Sequence, residues 1–117
     1  PERIELLAPG EGEAVDLETD PAFAFRPMTV RAFYRLVFQV LDLTVPITVS
    51  LENLRPTAEG LAWRLSRRSL FQDRDMPETV LRSLRGREVR WWVEGTDDLR
   101  TWGATAERSA ARTFRVR

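Results

Sequence analysis

Along most of this chain, apolar and polar residues alternate with a period of two rather than 3.6. In FYRLVFQVLD, residues 33–42, Tyr34, Leu36, Phe38 and Val40 fall on one face, and Arg35, Val37 and Gln39 on the other. In PITVSLEN, residues 46–53, Ile47, Val49 and Leu51 alternate with Thr48, Ser50 and Glu52. GLAWRLSR, residues 60–67, sets Leu61, Trp63 and Leu65 against Ala62, Arg64 and Ser66. REVRWWVEG, residues 87–95, sets Val89, Trp91 and Val93 against Arg90, Trp92 and Glu94. RTFRVR at the end turns Phe114 and Val116 inward and Thr113, Arg115 and Arg117 outward. Phe23 and Phe25 share a face before Pro27 ends their strand, and Ile4 and Leu6 open the chain before the PGEG turn at residues 9–12.

These seven short runs are separated by Pro, Gly, Asn and Asp, the residues that break strands into turns. Alternation means one buried face and one wet face, the signature of antiparallel sheets. Seven such strands predict an all-β, two-sheet antiparallel β-sandwich whose apolar faces meet in one core. The exception lies in MPETVLRSLRG, residues 76–86. Pro77 can open a helical turn, Val80, Leu81 and Leu84 supply its apolar side, and Gly86 can end it; an edge strand from Glu78 to Leu81 is the competing reading.

The 117 residues amount to one domain by length, and 43% hydrophobic and 9% aromatic content suit a packed core. No apolar run is long enough for a membrane helix, so no membrane insertion is expected. Net charge is zero, which argues against a general nucleic-acid binder. The charge is uneven: residues 1–59 hold 5 Arg and 10 acids, a net of −5, and residues 60–117 hold 13 Arg and 8 acids, a net of +5. All 18 basic residues are Arg, which reads as GC-rich coding bias. The start at Pro1, with neither Met nor signal peptide, reads as a domain excised from a longer chain.

Chemistry is sparse. With no Cys there is neither thiolate nucleophile nor disulfide, and with no His the commonest general base and metal ligand are missing. No G-x-S-x-G elbow and no glycine-rich phosphate loop occur. Asp73 and Asp75 form a D-x-D pair without the further oxygen ligands of a calcium loop. Asp97 and Asp98 lie in GTDDLRTWG, where Asx side chains cap turns. Arg82, Arg85, Arg87 and Arg90 are offset by Glu78, Glu88 and Glu94 and read as a solvated face. No enzyme activity, cofactor or metal is therefore expected.

The tryptophans remain. Trp91 has core parity, and its indole N–H should find a neighbour. Trp92 has the opposite parity, between Arg90 and Glu94. It can lie under an Arg from an adjacent strand, or it can stack on a sugar or a partner's side chain. Trp102 joins Trp92 in a patch if its loop folds back. Trp92, Trp102 and Arg90 are thus the candidate ligand or partner contacts.

The order of these runs resembles fibronectin type III domains. L-R-G-R-E-V-R-W-W-V-E-G-T-D-D-L, residues 84–99, followed by S-A-A-R-T-F-R-V, residues 109–116, is similar to the bacterial pattern "Y-x-W-x-V-x-A-x-D" before a final "S-x-x-x-x-F-x-V" strand. L-L-A-P-G-E-G, P-A-F-A-F and A-F-Y-R-L-V-F match the N-terminal part. The likeness covers residues 3–41 and 84–117. Val89 stands where many members place a corner tyrosine, and residues 42–83 are longer than usual, with room for an extra strand or an excursion around Asn53–Gly60. The resemblance implies an immunoglobulin-like sandwich doing non-catalytic work as an interaction or spacer module of a larger bacterial extracytoplasmic or membrane-anchored protein. Its partners would be other domains of the same chain or another protein. The alternative is a carbohydrate-binding module that uses its exposed tryptophans on polysaccharide.

Overall fold

A computed structural model describes residues 4–19, 21–27, 31–40, 47–51, 54–65, 82–102 and 107–117. Among these residues ten strands form: β1 (Ile4–Ala8), β2 (Glu13–Val15), β3 (Ala22–Pro27), β4 (Phe33–Val40), β5 (Ile47–Ser50), β6 (Arg55–Pro56), β7 (Leu61–Arg64), β8 (Glu88–Thr96), β9 (Glu107–Arg108) and β10 (Arg112–Val116). They make two packed sheets. The first has the order β1-β3-β7-β6; the second has the order β2-β10-β8-β4-β5, with β9 also paired to β8. Each of the seven alternating runs contains a strand within its described residues. β2, β6 and β9 are additions of two or three residues, too short to show a period.

The second sheet is mixed rather than purely antiparallel. After β1 the chain crosses between sheets at the turn near Gly10–Gly12 without reversing direction. β2 therefore runs parallel to β10, pairing Glu13–Val15 with Phe114–Val116. A parallel bridge from Ile4 to Ser109 continues the same relation into β1. Gly12 adopts φ +75° at this crossing, a conformation that favours glycine.

Alternation delivers the core. Tyr34, Leu36, Phe38 and Val40 of β4, and Val89, Trp91 and Val93 of β8, are all buried. Phe23 projects from the first sheet into this layer. Its ring lies 5.0 Å from Trp91, 5.6 Å from Phe38 and 5.8 Å from Phe114, edge-on to each. Edge-to-face aromatic pairs add about 0.5–1.5 kcal/mol each beyond the area they bury. The indole Nε1 of Trp91 departs from expectation: it is buried and has no hydrogen-bond partner among the described residues. Hydrophobic contact alone seats this ring, against a desolvation cost of about 1–3 kcal/mol.

Val37 also departs from its parity. It belongs to the outer face yet is only 3% exposed. Its cross-strand neighbour on that face is Trp92, whose large ring gives the outer surface an apolar spot of its own.

Residues 82–84 are helical, at the end of the segment where a turn was expected. Leu84 packs against the core, and Gly86, at φ +80°, turns the chain into β8. The Gly86 N–H donates to the Val116 carbonyl at 2.7 Å, and the Val116 N–H donates to the Arg87 carbonyl at 3.0 Å. These backbone bonds tie the corner that leads into β8. The competing edge strand at Glu78–Leu81, the Asp73–Asp75 pair and Asn53 lie outside the described residues. From the excursion predicted around Asn53–Gly60, residues 54–60 are described: β6 and a turn closed by the Thr57 N–H donating to the Gly60 carbonyl at 2.7 Å.

Candidate functional site

The outer face of the second sheet follows from β8. Arg90, Trp92 and Glu94 share the parity opposite to the core, so all three stand on the solvent side. The register sets Arg35 of β4 directly opposite Glu94, and Arg108 of β9 opposite Glu94 on the other flank. Glu94 thus lies between two arginines and two residues from a tryptophan.

Its two oxygens are divided. Oε1 accepts from Arg35 Nε at 2.6 Å, and Oε2 accepts from Trp92 Nε1 at 3.1 Å. The Arg35 and Glu94 side chains are 24% and 13% exposed, dry enough for the pair to be screened less than an open surface pair. The Arg35 guanidinium carbon also lies 4.5 Å from the ring centroid of Trp102. The loop after β8 therefore does fold back, through a 3-10 turn at Leu99–Thr101, and brings Trp102 over β4. Arg108 lies over Trp92 at 4.9 Å. The result is a chain of contacts, Trp102–Arg35–Glu94–Trp92–Arg108, across three strands and a loop. Each stacked pair contributes about 0.5–1 kcal/mol at an exposed site.

Of the three candidate contacts, Trp92 and Trp102 are joined through Arg35 and Glu94. Arg90 is exposed on the same face, beside Trp92 on β8. Arg108 supplies the arginine that was expected to stack on Trp92 from an adjacent strand. Sequence reasoning missed Arg35, Glu94 and Arg108 as members of this network. Parity had already turned Arg35 and Glu94 outward, but their pairing depends on register. Arg108 sits on a two-residue strand without a pattern of its own.

The paired acids divide between two tasks. Asp98 behaves as expected and caps the 3-10 turn, its Oδ1 accepting from the Arg100 N–H at 3.0 Å. Asp97 does not cap its own turn. Its Oδ1 accepts from the Ala32 N–H at 2.9 Å and its Oδ2 from Arg31 Nη1 at 3.0 Å. The carboxylate pins the loop before β4 to the loop after β8. The Ala32 N–H, followed by the Arg31 guanidinium, holds Asp97 below the usual carboxylate range. Arg31 also donates to Glu107, and that bond, with Asp97 second, pushes the guanidinium above its ordinary value. The Arg31 N–H donates to the Tyr34 hydroxyl at 2.8 Å. Burial raises the Tyr34 phenol, partly offset by this bond. Arg31 Nε and Glu107 Oε2 are buried without hydrogen-bond partners among the described residues. This cluster is a latch between two loops.

No group of three or more acidic side chains able to hold a metal ion occurs among the described residues. Nor is any helix among them long and apolar enough to cross a membrane. Comparison with protein-family models gave no match, and neither curated proteins nor solved structures gave one.

Proposed function

We propose that this chain is a non-catalytic interaction module of a larger bacterial extracytoplasmic protein, and that it meets another protein through the outer face of its second sheet. The observation that carries the proposal is the Trp102–Arg35–Glu94–Trp92–Arg108 network on an otherwise solvated sheet. Trp and Arg are the residue types that dominate the energetics of protein interfaces. Internal stacking holds them in place, so less side-chain freedom is lost on contact.

Strand order supports the fibronectin type III or immunoglobulin-like part of the reading. The first sheet follows the A-B-E-D order of such sandwiches, and β10-β8-β4 follows G-F-C, with β5 one strand further. The absence of His and Cys supports the non-catalytic part. The carbohydrate-binding alternative needs a bare indole face. Arg108 lies over Trp92 and Arg35 over Trp102, so a sugar ring approaching from those sides has to displace a guanidinium.

The test follows the indole N–H resonances of the four tryptophans during titration with neutral soluble polysaccharides, and separately with neighbouring domains of the parent chain. The proposal expects Trp92 and Trp102 to shift saturably with protein and not with sugar. Saturable shifts with a neutral polysaccharide would replace it with the carbohydrate-binding reading.

A further inference from the structure

Among the outward side chains of β4, β8, β9 and β10, Arg35, Arg90, Arg108 and Arg115 stand with Glu88 and Glu94. Both acids are already engaged, Glu94 with Arg35 and Glu88 with Arg115 at 3.5 Å. That leaves Arg90 and Arg108, which flank Trp92, as exposed cations with no carboxylate partner among the described residues. Arg90 and Trp92 are two residues apart on one strand, about 6.8 Å along the chain.

From this we infer that Arg90 and Arg108 form, with Trp92 between them, a docking strip for an acidic segment of a partner protein. The inference rests on reading this face as a protein contact and adds the chemistry of what binds. Charge complementarity is the first argument: Arg90 and Arg108 have no carboxylate partner among the described residues, while Glu94, Glu88 and Glu11, which accepts from the Thr113 N–H and hydroxyl across from Arg90, are each engaged elsewhere. The second is the state of Arg108. A guanidinium stacked on an indole is confined to one plane, and its N–H edge stays available for a carboxylate in a two-pronged geometry. The third concerns the alternatives. Nucleic acid calls for many phosphate contacts, and two unpaired cations on a neutral chain supply few. A sugar would have to displace Arg108 from Trp92, whereas a carboxylate engages Arg108 where it lies.

The experiment titrates an isotope-labelled domain with an oligoglutamate peptide at low ionic strength. The Trp92 indole N–H and the Arg108 side-chain N–H should shift saturably, while the buried Trp63 and Trp91 indoles should not. Arg90→Gln and Arg108→Gln should each weaken binding about two- to fivefold, the range for exposed charge pairs, with unchanged thermal melting. The double variant should weaken it further, and binding of the native domain should fade as salt approaches ~150 mM. Peptide binding that leaves Trp92 unmoved, or that survives both substitutions, overturns the inference. So does tighter binding of polygalacturonate, which would assign an anionic polysaccharide, or the same shifts on concentrating the protein alone, which would assign a second copy. Absence of any response to oligoglutamate removes the acidic partner but leaves the protein-contact reading to be decided by footprinting of the assembled protein.

Discussion

At Gly95 a side chain as small as alanine has nowhere to go. A Cβ there would stand 2.8 Å from the Tyr34 ring, directly across the strand pair. Tyr34 lies over Gly95 and also packs on Phe25 at 5.0 Å, so its ring has little room to yield. Gly95→Ala should therefore destabilise the fold by about 1–3 kcal/mol in chemical denaturation, as overpacking does elsewhere. A neutral result would mean that the ring is not seated there. Tyr34 is the chain's only tyrosine, so phenolate absorbance reports it alone. Its folded value is raised by burial, so its contribution to stability is complete below the ordinary value of about 10 and is lost as pH rises through the higher folded value. Absorbance should show the phenol titrating above that ordinary value, with loss of structure; titration at the value of free tyrosine would contradict its burial. Parity alone assigned Trp91 and Trp92 to opposite faces, because strand geometry leaves no other choice. It could not foresee that Val37 would lie buried opposite Trp92, or that the Trp91 N–H would go unpartnered.

Elements formed where alternation ran for four residues or more. The short strands β2, β6 and β9 depend on neighbours already in place, so local pattern could not announce them. The parallel pairing of β2 with β10 was equally hidden, because it follows from where the chain changes sheets. The latch between the two loops has the same character: Asp97 reads as a local turn cap until the fold brings Arg31 and Ala32 to it. Asp97→Asn should speed hydrogen exchange at the Ala32 amide and loosen the loop before β4, with little change in global melting because Asp97 is 61% exposed. Asp98→Ala should leave the Ala32 amide unaffected. The folded value of Asp97 lies below the ordinary carboxylate value of ~3.9. The latch is therefore complete above that value and is lost as pH falls through the lower folded value. Protection of the Ala32 amide, taken relative to the intrinsic exchange rate at each pH, should be lost only at such acid pH; loss of protection near neutrality would point to another group.

Over the whole molecule, two sheets close on an aromatic centre with Phe23 as the link between them. Phe23→Ala should cost about 3–5 kcal/mol in equilibrium unfolding, because three rings of the opposite sheet lose their contact. The sandwich was legible from periodicity because burial on one face of each strand fixes it. The candidate surface was legible only in part. Trp92, Trp102 and Arg90 stood out as residues, whereas the register that adds Arg35, Glu94 and Arg108 is a property of the assembled sheet. The uneven charge of the two halves becomes local: the outward Arg90, Arg108 and Arg115 stand on β8, β9 and β10, which all come from the Arg-rich half. Whether this face meets a protein is tested most directly by hydroxyl-radical footprinting of the chain alone and of the chain in the proposed assembly with a protein partner. Oxidation of Trp92 and Trp102 should fall in the assembly, while the exposed side chains of β1, β3 and β7 react as before. Equal oxidation of both tryptophans in the two states, or protection confined to the first sheet, would contradict the central claim.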